Sequence, residues 1–174
     1  MPPYLAIPHY HLSKLPVTTK VALTCFTLTL VLAMAFVAFA VYAERTGYST
    51  RGAKLNYLGD EKVREMGEPV GEKVMVQQKS KRELYDIVHP HSFLMPVIYF
   101  ILCHLFEMSY AGKWLKIGLY VGGALSMIAV IFAPVLVAAM PACAILLAPA
   151  VVVMLLAFTA MAVSPTIQMW VVRA

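Results

Sequence analysis

Imidazole, carboxylate and thioether side chains meet on one short stretch of the sequence. His89-Pro90-His91 is followed, 13 residues after His91, by His104 and then by Glu107 and Met108. Spacings of three and four residues put His104, Glu107 and Met108 on one side of a helix. His104 and Met108 are therefore candidate cofactor ligands, with haem the cofactor that an imidazole and a thioether suit. His89, His91 and Glu107 are the candidate metal ligands, and imidazole favours copper or zinc. His104 would lie roughly 20 Å deeper than the histidine pair at 1.5 Å per residue. An ionisable residue within a membrane helix is costly unless it is used. The plainer role for His104 is a hydrogen bond to a neighbouring helix, and the default expectation is no cofactor on the chain alone.

Each ligand reading meets an obstacle. A haem held between helices by two histidines needs a second imidazole, and no other apolar segment contains one. Met34, Met127 or Met154 would have to supply the axial ligand, or a partner subunit would. Two histidines also fall short of the three or four ligands of a zinc site, unless Asp60, Glu61 or Asp86 adds to them. His9-Tyr10-His11 reads as an interfacial segment rather than a ligand set.

The elements that must position these groups follow from composition. Of 174 residues, 61% are apolar and 13% are charged, against roughly 45 to 50% and about 25% in soluble domains. Between Lys116 and Arg173 there is a run of 56 residues without Lys, Arg, Asp or Glu. A bilayer-spanning helix needs about 20 apolar residues, so this run holds two passes. The chemistry of hydrocarbon leaves helix as the only spanning structure for such segments.

The expected fold is therefore an all-α integral membrane protein with four transmembrane helices and a long polar loop between the first and second. An N-terminal tail of residues 1–20 precedes helix 1 at 21–42. The polar loop occupies 43–91 and carries nine Lys/Arg and eight Asp/Glu. Helix 2 is expected over 92–108, helix 3 over 114–139 and helix 4 over 142–163, with a C-terminal tail at 164–174. Pro134 and Pro141 are both candidate positions for the turn after helix 3, and Ser164-Pro165 is read as the end of helix 4. In the loop, Ser80-Lys81-Arg82-Glu83 fits a capping box, which predicts a short amphipathic helix over 81–88. His89 would then cap helix 2, with Pro90 at its first position. Gly47, Gly52, Gly59, Gly67 and Gly71 punctuate the rest of the loop too often for long regular structure.

Gly118-Leu119-Tyr120-Val121-Gly122 is a GxxxG, which lets a second helix approach closely. Packing within the chain is placed slightly ahead of packing on a partner. Cys25, Cys103 and Cys143 all fall in expected spans and suggest no disulfide framework. Phosphate-binding glycine motifs, a serine elbow, CxxC, CxxCH and a zincin helix are all lacking. The net charge of +5 is spread over membrane flanks, which suits anionic lipid and not nucleic acid. A transporter is disfavoured because no internal repeat is found.

Orientation is contested by the charges. Lys14, Lys20, Lys113, Lys116 and Arg173 share one side, which the positive-inside rule would make cytoplasmic, yet the loop holds more basic residues. The expectation is a periplasmic loop, balanced in charge and folded on itself.

The succession Glu44-Arg45-Thr46-Gly47, Tyr57-Leu58-Gly59-Asp60-Glu61, Ser80-Lys81-Arg82-Glu83-Leu84, His89 through Pro96 and His104-Leu105-Phe106 resembles small bacterial membrane proteins. That resemblance covers the loop and helix 2 and implies a protein of the bacterial inner (cytoplasmic) membrane. Small size, close-packing glycines and a compact loop lead to the expected function. It is an accessory or structural subunit of a larger membrane complex, respiratory or electron-transfer in kind, in contact with lipid and with larger subunits. Such a chain would be a non-catalytic part of a membrane oxidoreductase. The alternative is a haem- or metal-binding redox protein using His89, His91 or His104.

Overall fold

The computed structural model describes residues 12–70 and 76–172; His9-Tyr10-His11, Gly71 and Arg173 lie outside them. A 3-10 turn, Leu12–Lys14, leads into α1 (Val17–Phe36), which continues through a π-helical stretch, Val37–Tyr42, into α2 (Ala43–Thr46). After these come α3 (Thr50–Glu65), α4 (Lys81–Glu107), α5 (Lys113–Ala139), a 3-10 turn at Pro141–Cys143, and α6 (Ala144–Val171). Four rods, Val17–Thr46, Lys81–Glu107, Lys113–Ala139 and Pro141–Val171, are long and apolar enough to cross a bilayer. No strand occurs among the described residues.

The surface shows what solvent these rods need. Leu28, Phe39, Phe93, Phe100, Leu125 and Leu156 are each more than half exposed on the flanks of the spans. In water that surface would be unfavourable; in hydrocarbon it costs nothing. α6 is the hub and packs against α1, α4, α5 and α3, whereas α1 is peripheral and rests mainly on α6. One core joins Leu102, Phe106, Met127, Ile131, Met161 and neighbours of α4, α5 and α6.

Helix ends differ from the expected ones for reasons visible in the backbone. The stretch at 81–88 and the second span are one continuous helix, α4, so Pro90 sits inside it and His89 caps nothing. Its cap is Ser80, whose hydroxyl accepts from the Glu83 amide at 3.3 Å while the Ser80 amide donates to Glu83 Oε2 at 2.7 Å. Pro90 deprives the Asp86 carbonyl of its helical donor, but Asp86, His89 and Pro90 are exposed and water can serve that turn. α6 likewise runs through Ser164-Pro165 to Val171. Pro165 is packed in the interior, and the Thr166 hydroxyl donates to the Ala162 carbonyl at 2.8 Å. Pro134 also lies within its helix, and the turn falls at Pro141–Cys143.

The largest departure is in the polar loop, where Thr50–Glu65 is helical despite its glycines. Ser49 caps it, accepting from the Gly52 amide at 2.9 Å. Ala53, Tyr57, Leu58 and Val63 then form a buried face over Val137, Ala144 and Leu147 at the α5–α6 turn. Burial raises the pKa of the Tyr57 hydroxyl. α3 is thus a lid of polar sequence laid across one end of the bundle. The lost apolar contact with water drives the docking, and the outer face keeps most of the charges, with Asp60 buried at the Gly59 turn.

Two glycines make that lid possible. At Gly52 the Thr46 carbonyl already occupies the place of a Cβ. At Gly59 the backbone turns with φ 79° and ψ 169°, and the returning chain crosses it. Asp60 donates its amide to the Val76 carbonyl at 2.9 Å, and Lys79 its amide to the Tyr57 carbonyl at 3.2 Å. A Cβ at Gly59 would lie 2.5 Å from the Gln78 nitrogen. Lys54 pairs with Glu68 across the same turn.

Gly59→Ala should lower stability by about 2 kcal/mol or more, since left-handed strain and a backbone clash act together. Gly67 has a similar φ of 76°, but a Cβ added there would meet nothing within 4 Å. Gly67→Ala should therefore cost only about 1 kcal/mol. Equilibrium unfolding of both variants in mixed micelles measures the difference; equal losses would contradict the role given to the crossing strand of chain.

Candidate functional site

The row Tyr99, Cys103, Glu107 repeats every four residues along α4 and faces Tyr120 and Lys116 on the antiparallel α5. Tyr99 donates its hydroxyl to the Tyr120 carbonyl at 2.5 Å. The Tyr120 hydroxyl donates to Glu107 Oε2 at 2.8 Å and reaches the Cys103 carbonyl at 3.3 Å. Lys116 Nζ donates to the Glu107 carbonyl at 2.5 Å and stands 3.5 Å from Glu107 Oε1. The Lys116 side chain is 12% exposed and that of Glu107 65%, so the pair lies at the rim of the bundle. Rings of Tyr99 and Phe158 stack at 5.7 Å, and Cys103 Sγ approaches Met161 Sδ at 4.0 Å.

This arrangement can hold two helices in register and keep one proton-bearing hydroxyl against a carboxylate. Tyr110 donates its amide to Gln168 at 2.8 Å, Trp170 Nε1 donates to Thr24 at 3.0 Å, and Lys20 lies over the Trp170 ring. The polar contacts among α1, α4, α5 and α6 thus gather at one end, opposite the α3 lid. Tryptophan and lysine belong at such an interface.

The histidines do not join this network. His104 is exposed, stacks on Phe100 with centroids 6.0 Å apart, and makes no hydrogen bond among the described residues. It shares a row with Phe100 and faces outward, while Glu107 turns to α5, so the two part company within one turn of helix. Met108 is half-buried at the helix end, and Met127 and Met154 are buried inside the bundle. Met34 borders the groove between α1 and α6.

His89 meets Phe93 edge to face at 5.3 Å, and the His91 Nδ1 lies 2.6 Å from the Ile87 carbonyl. Two residues apart on a helix, the rings point about 200° from one another. Glu107 is roughly 24 Å beyond His91 along α4. The structure therefore does not bring His89, His91 and Glu107 together. Asp60 and Glu61 lie toward the end of α3 and Asp86 on α4. No three His, Cys, Asp or Glu side chains among the described residues are grouped to hold a metal ion.

Glycine packing is also redistributed. A Cβ on Gly118 or Gly122 would meet nothing within 4 Å, whereas one on Gly123 would lie 3.2 Å from Tyr99 Cε2 and 3.6 Å from Ala157 Cβ. Close approach within the chain uses Gly123, and the GxxxG face looks outward. Packing within the chain, placed slightly ahead of packing on a partner, thus falls to Gly123 and not to Gly118 or Gly122; the pitch of a helix places neighbouring glycines about 100° apart. Tyr99, Tyr120 and Lys116 escape sequence reasoning. The signal for them is the four-residue repeat on each helix, which gains meaning only when α4 and α5 are known to be adjacent.

A four-span helical bundle, latched at one rim and lidded at the other, defines a polytopic helical membrane protein. The chain belongs to the Aq_1264_TM family, described as a transmembrane helical domain, whose pattern matches residues 47–174. No curated protein and no solved structure matches the chain. The match begins at Gly47 and so takes in the α3 lid together with α4, α5 and α6.

The two glycine classes can be told apart by experiment. Gly123→Leu should destabilise the bundle by about 1 to 3 kcal/mol through overpacking against Tyr99. Gly122→Leu should leave it unchanged or stabilise it by up to about 1 kcal/mol, since leucine is the better helix former. Unfolding midpoints of the purified variants in one detergent measure both, and a larger loss at Gly122 would contradict the outward assignment.

Proposed function

We propose that this chain is an accessory, non-catalytic subunit of a larger complex in the bacterial inner membrane, of respiratory or electron-transfer kind. The observation that supports it most is the outward face of Gly118 and Gly122. Small residues in a membrane helix allow backbones to approach, and among the described residues no helix uses that approach. The outward His104 adds to this reading. An imidazole on the lipid-facing side is served best by a group on a neighbouring polypeptide, or by a haem at the subunit boundary whose second axial ligand the partner would supply. Respiratory and electron-transfer assemblies are the class in which such a boundary ligand has a use.

Purification in mild detergent should recover larger membrane subunits with the wild-type chain. Gly118→Leu/Gly122→Leu should lose them while retaining its own helical content. A chain that remains alone, or a double variant that keeps every companion, would count against the accessory role. The redox alternative predicts colour: a Soret band that disappears in His104→Ala, or copper lost in His89→Ala/His91→Ala, would replace it.

The loop-side end is proposed to be periplasmic. Alkaline phosphatase fused after Glu65 should then be active, and the same enzyme fused after Gly112 inactive. The opposite pattern would reverse the orientation and leave the bundle itself untouched.

A further inference from the structure

The lid leaves a cavity of about 500 Å³ between the last turn of α3, the chain entering α4 and the last turn of α5. One wall carries Lys62, Lys79 and Lys81, with Ser80 beside them. No Asp or Glu lines it among the described residues. The three ammonium groups make neither an ion pair nor a hydrogen bond among the described residues, where the only ion pairs are Lys54–Glu68 and Lys116–Glu107. The nearby helix N-terminus is already occupied, since Glu83 and Ser80 satisfy each other. Glu83 acts on Lys79 from that N-terminus, and three lysines lining one space still bring together positive charge that an added anion would offset.

The apolar part of the lining is of another character. Val135, Ala138 and Ala139 come from the turn where α5 leaves the hydrocarbon, and Leu84 closes the floor. A free phosphate would use the lysines and leave this part unsatisfied. A molecule with an anionic head and an apolar body uses both. The geometry points to a binding site for the phosphate-bearing headgroup of an anionic phospholipid, held by Lys62, Lys79 and Lys81, with the start of its acyl chains along the end of α5. Basic pockets beside membrane helices take such headgroups, each Lys contributing about 1 kcal/mol, or roughly fivefold in affinity. The lipid would tie the lid to the bundle, because Lys62 belongs to α3, Lys81 to α4 and the apolar wall to α5.

The test uses the full chain in mild detergent with equal amounts of phosphatidylglycerol and phosphatidylcholine, read by native mass spectrometry. The wild type should retain phosphatidylglycerol with a preference of at least about tenfold, and Lys62→Gln/Lys79→Gln/Lys81→Gln should bring the preference close to one. Lys14→Gln/Lys20→Gln/Lys113→Gln removes equal charge from the other end and should keep the wild-type preference. Circular dichroism melting establishes that both triple variants are folded. An unchanged preference in the first variant, or equal loss in both, would overturn the site. Displacement of the lipid by millimolar inorganic phosphate would make it a site for free anion and overturn the lipid assignment.

Discussion

A peptide group in hydrocarbon has no water to bond, so each apolar segment of this chain must satisfy its backbone within itself. That constraint governs the architecture more than any side chain. It makes rods of Val17–Thr46, Lys81–Glu107, Lys113–Ala139 and Pro141–Val171. It also explains why prolines inside α4, α5 and α6 leave the helices unbroken. Stopping a helix at Pro134, Pro149 or Pro165 would expose several amides and carbonyls to lipid, while continuing loses a single bond. In water the balance is different, and there proline is a fair sign of a boundary. The helix end read from Ser164-Pro165 therefore falls short of the actual end, whereas at His89-Pro90-His91 the helix continues because its exposed turn loses only one bond.

The polar segment obeys a second balance. Its glycines suggest irregular chain when each is taken as a weak point, yet Gly52 and Gly59 serve close crossings that a side chain would block. Around them α3 has enough apolar surface, in Ala53, Tyr57, Leu58 and Val63, to dock on the exposed ends of α5 and α6. That docking surface exists only because α5 and α6 turn back at Pro141–Cys143 and present Val137, Ala144 and Leu147 together. Local punctuation was legible; the reward for folding over it was not, because it lies more than seventy residues away.

Polar side chains divide between the two ends of the bundle. At the rim opposite the lid, Tyr120 and Lys116 hold Glu107, and Tyr99 reaches across to the α5 backbone. Glu107 is visible in the sequence as a lone carboxylate after a span. Its pairing with His104 and Met108, suggested by spacing, gives way to α5, where the Tyr120 hydroxyl and the Lys116 ammonium both reach it. At the lid end lysines of three adjoining segments line one cavity whose described lining holds no Asp or Glu, with Glu83 acting on Lys79 from beside it, although the loop as a whole is nearly balanced. Net charge over a segment conceals such local sorting.

The class of protein was written in the chain before any folding: the 56-residue stretch without charge, the apolar run before Glu44 and the Ser80 capping box leave little but a four-span helical bundle. These are local quantities, fixed by hydropathy and by hydrogen bonding along one segment. Which faces meet was settled in three dimensions alone. Gly123 rather than Gly118 or Gly122 packs inward, His104 looks out while Glu107 looks across, and α3 closes over the α5–α6 turn. Each of these depends on the rotation of one helix against another, which is set by the sum of many small packing contacts between residues far apart in the chain.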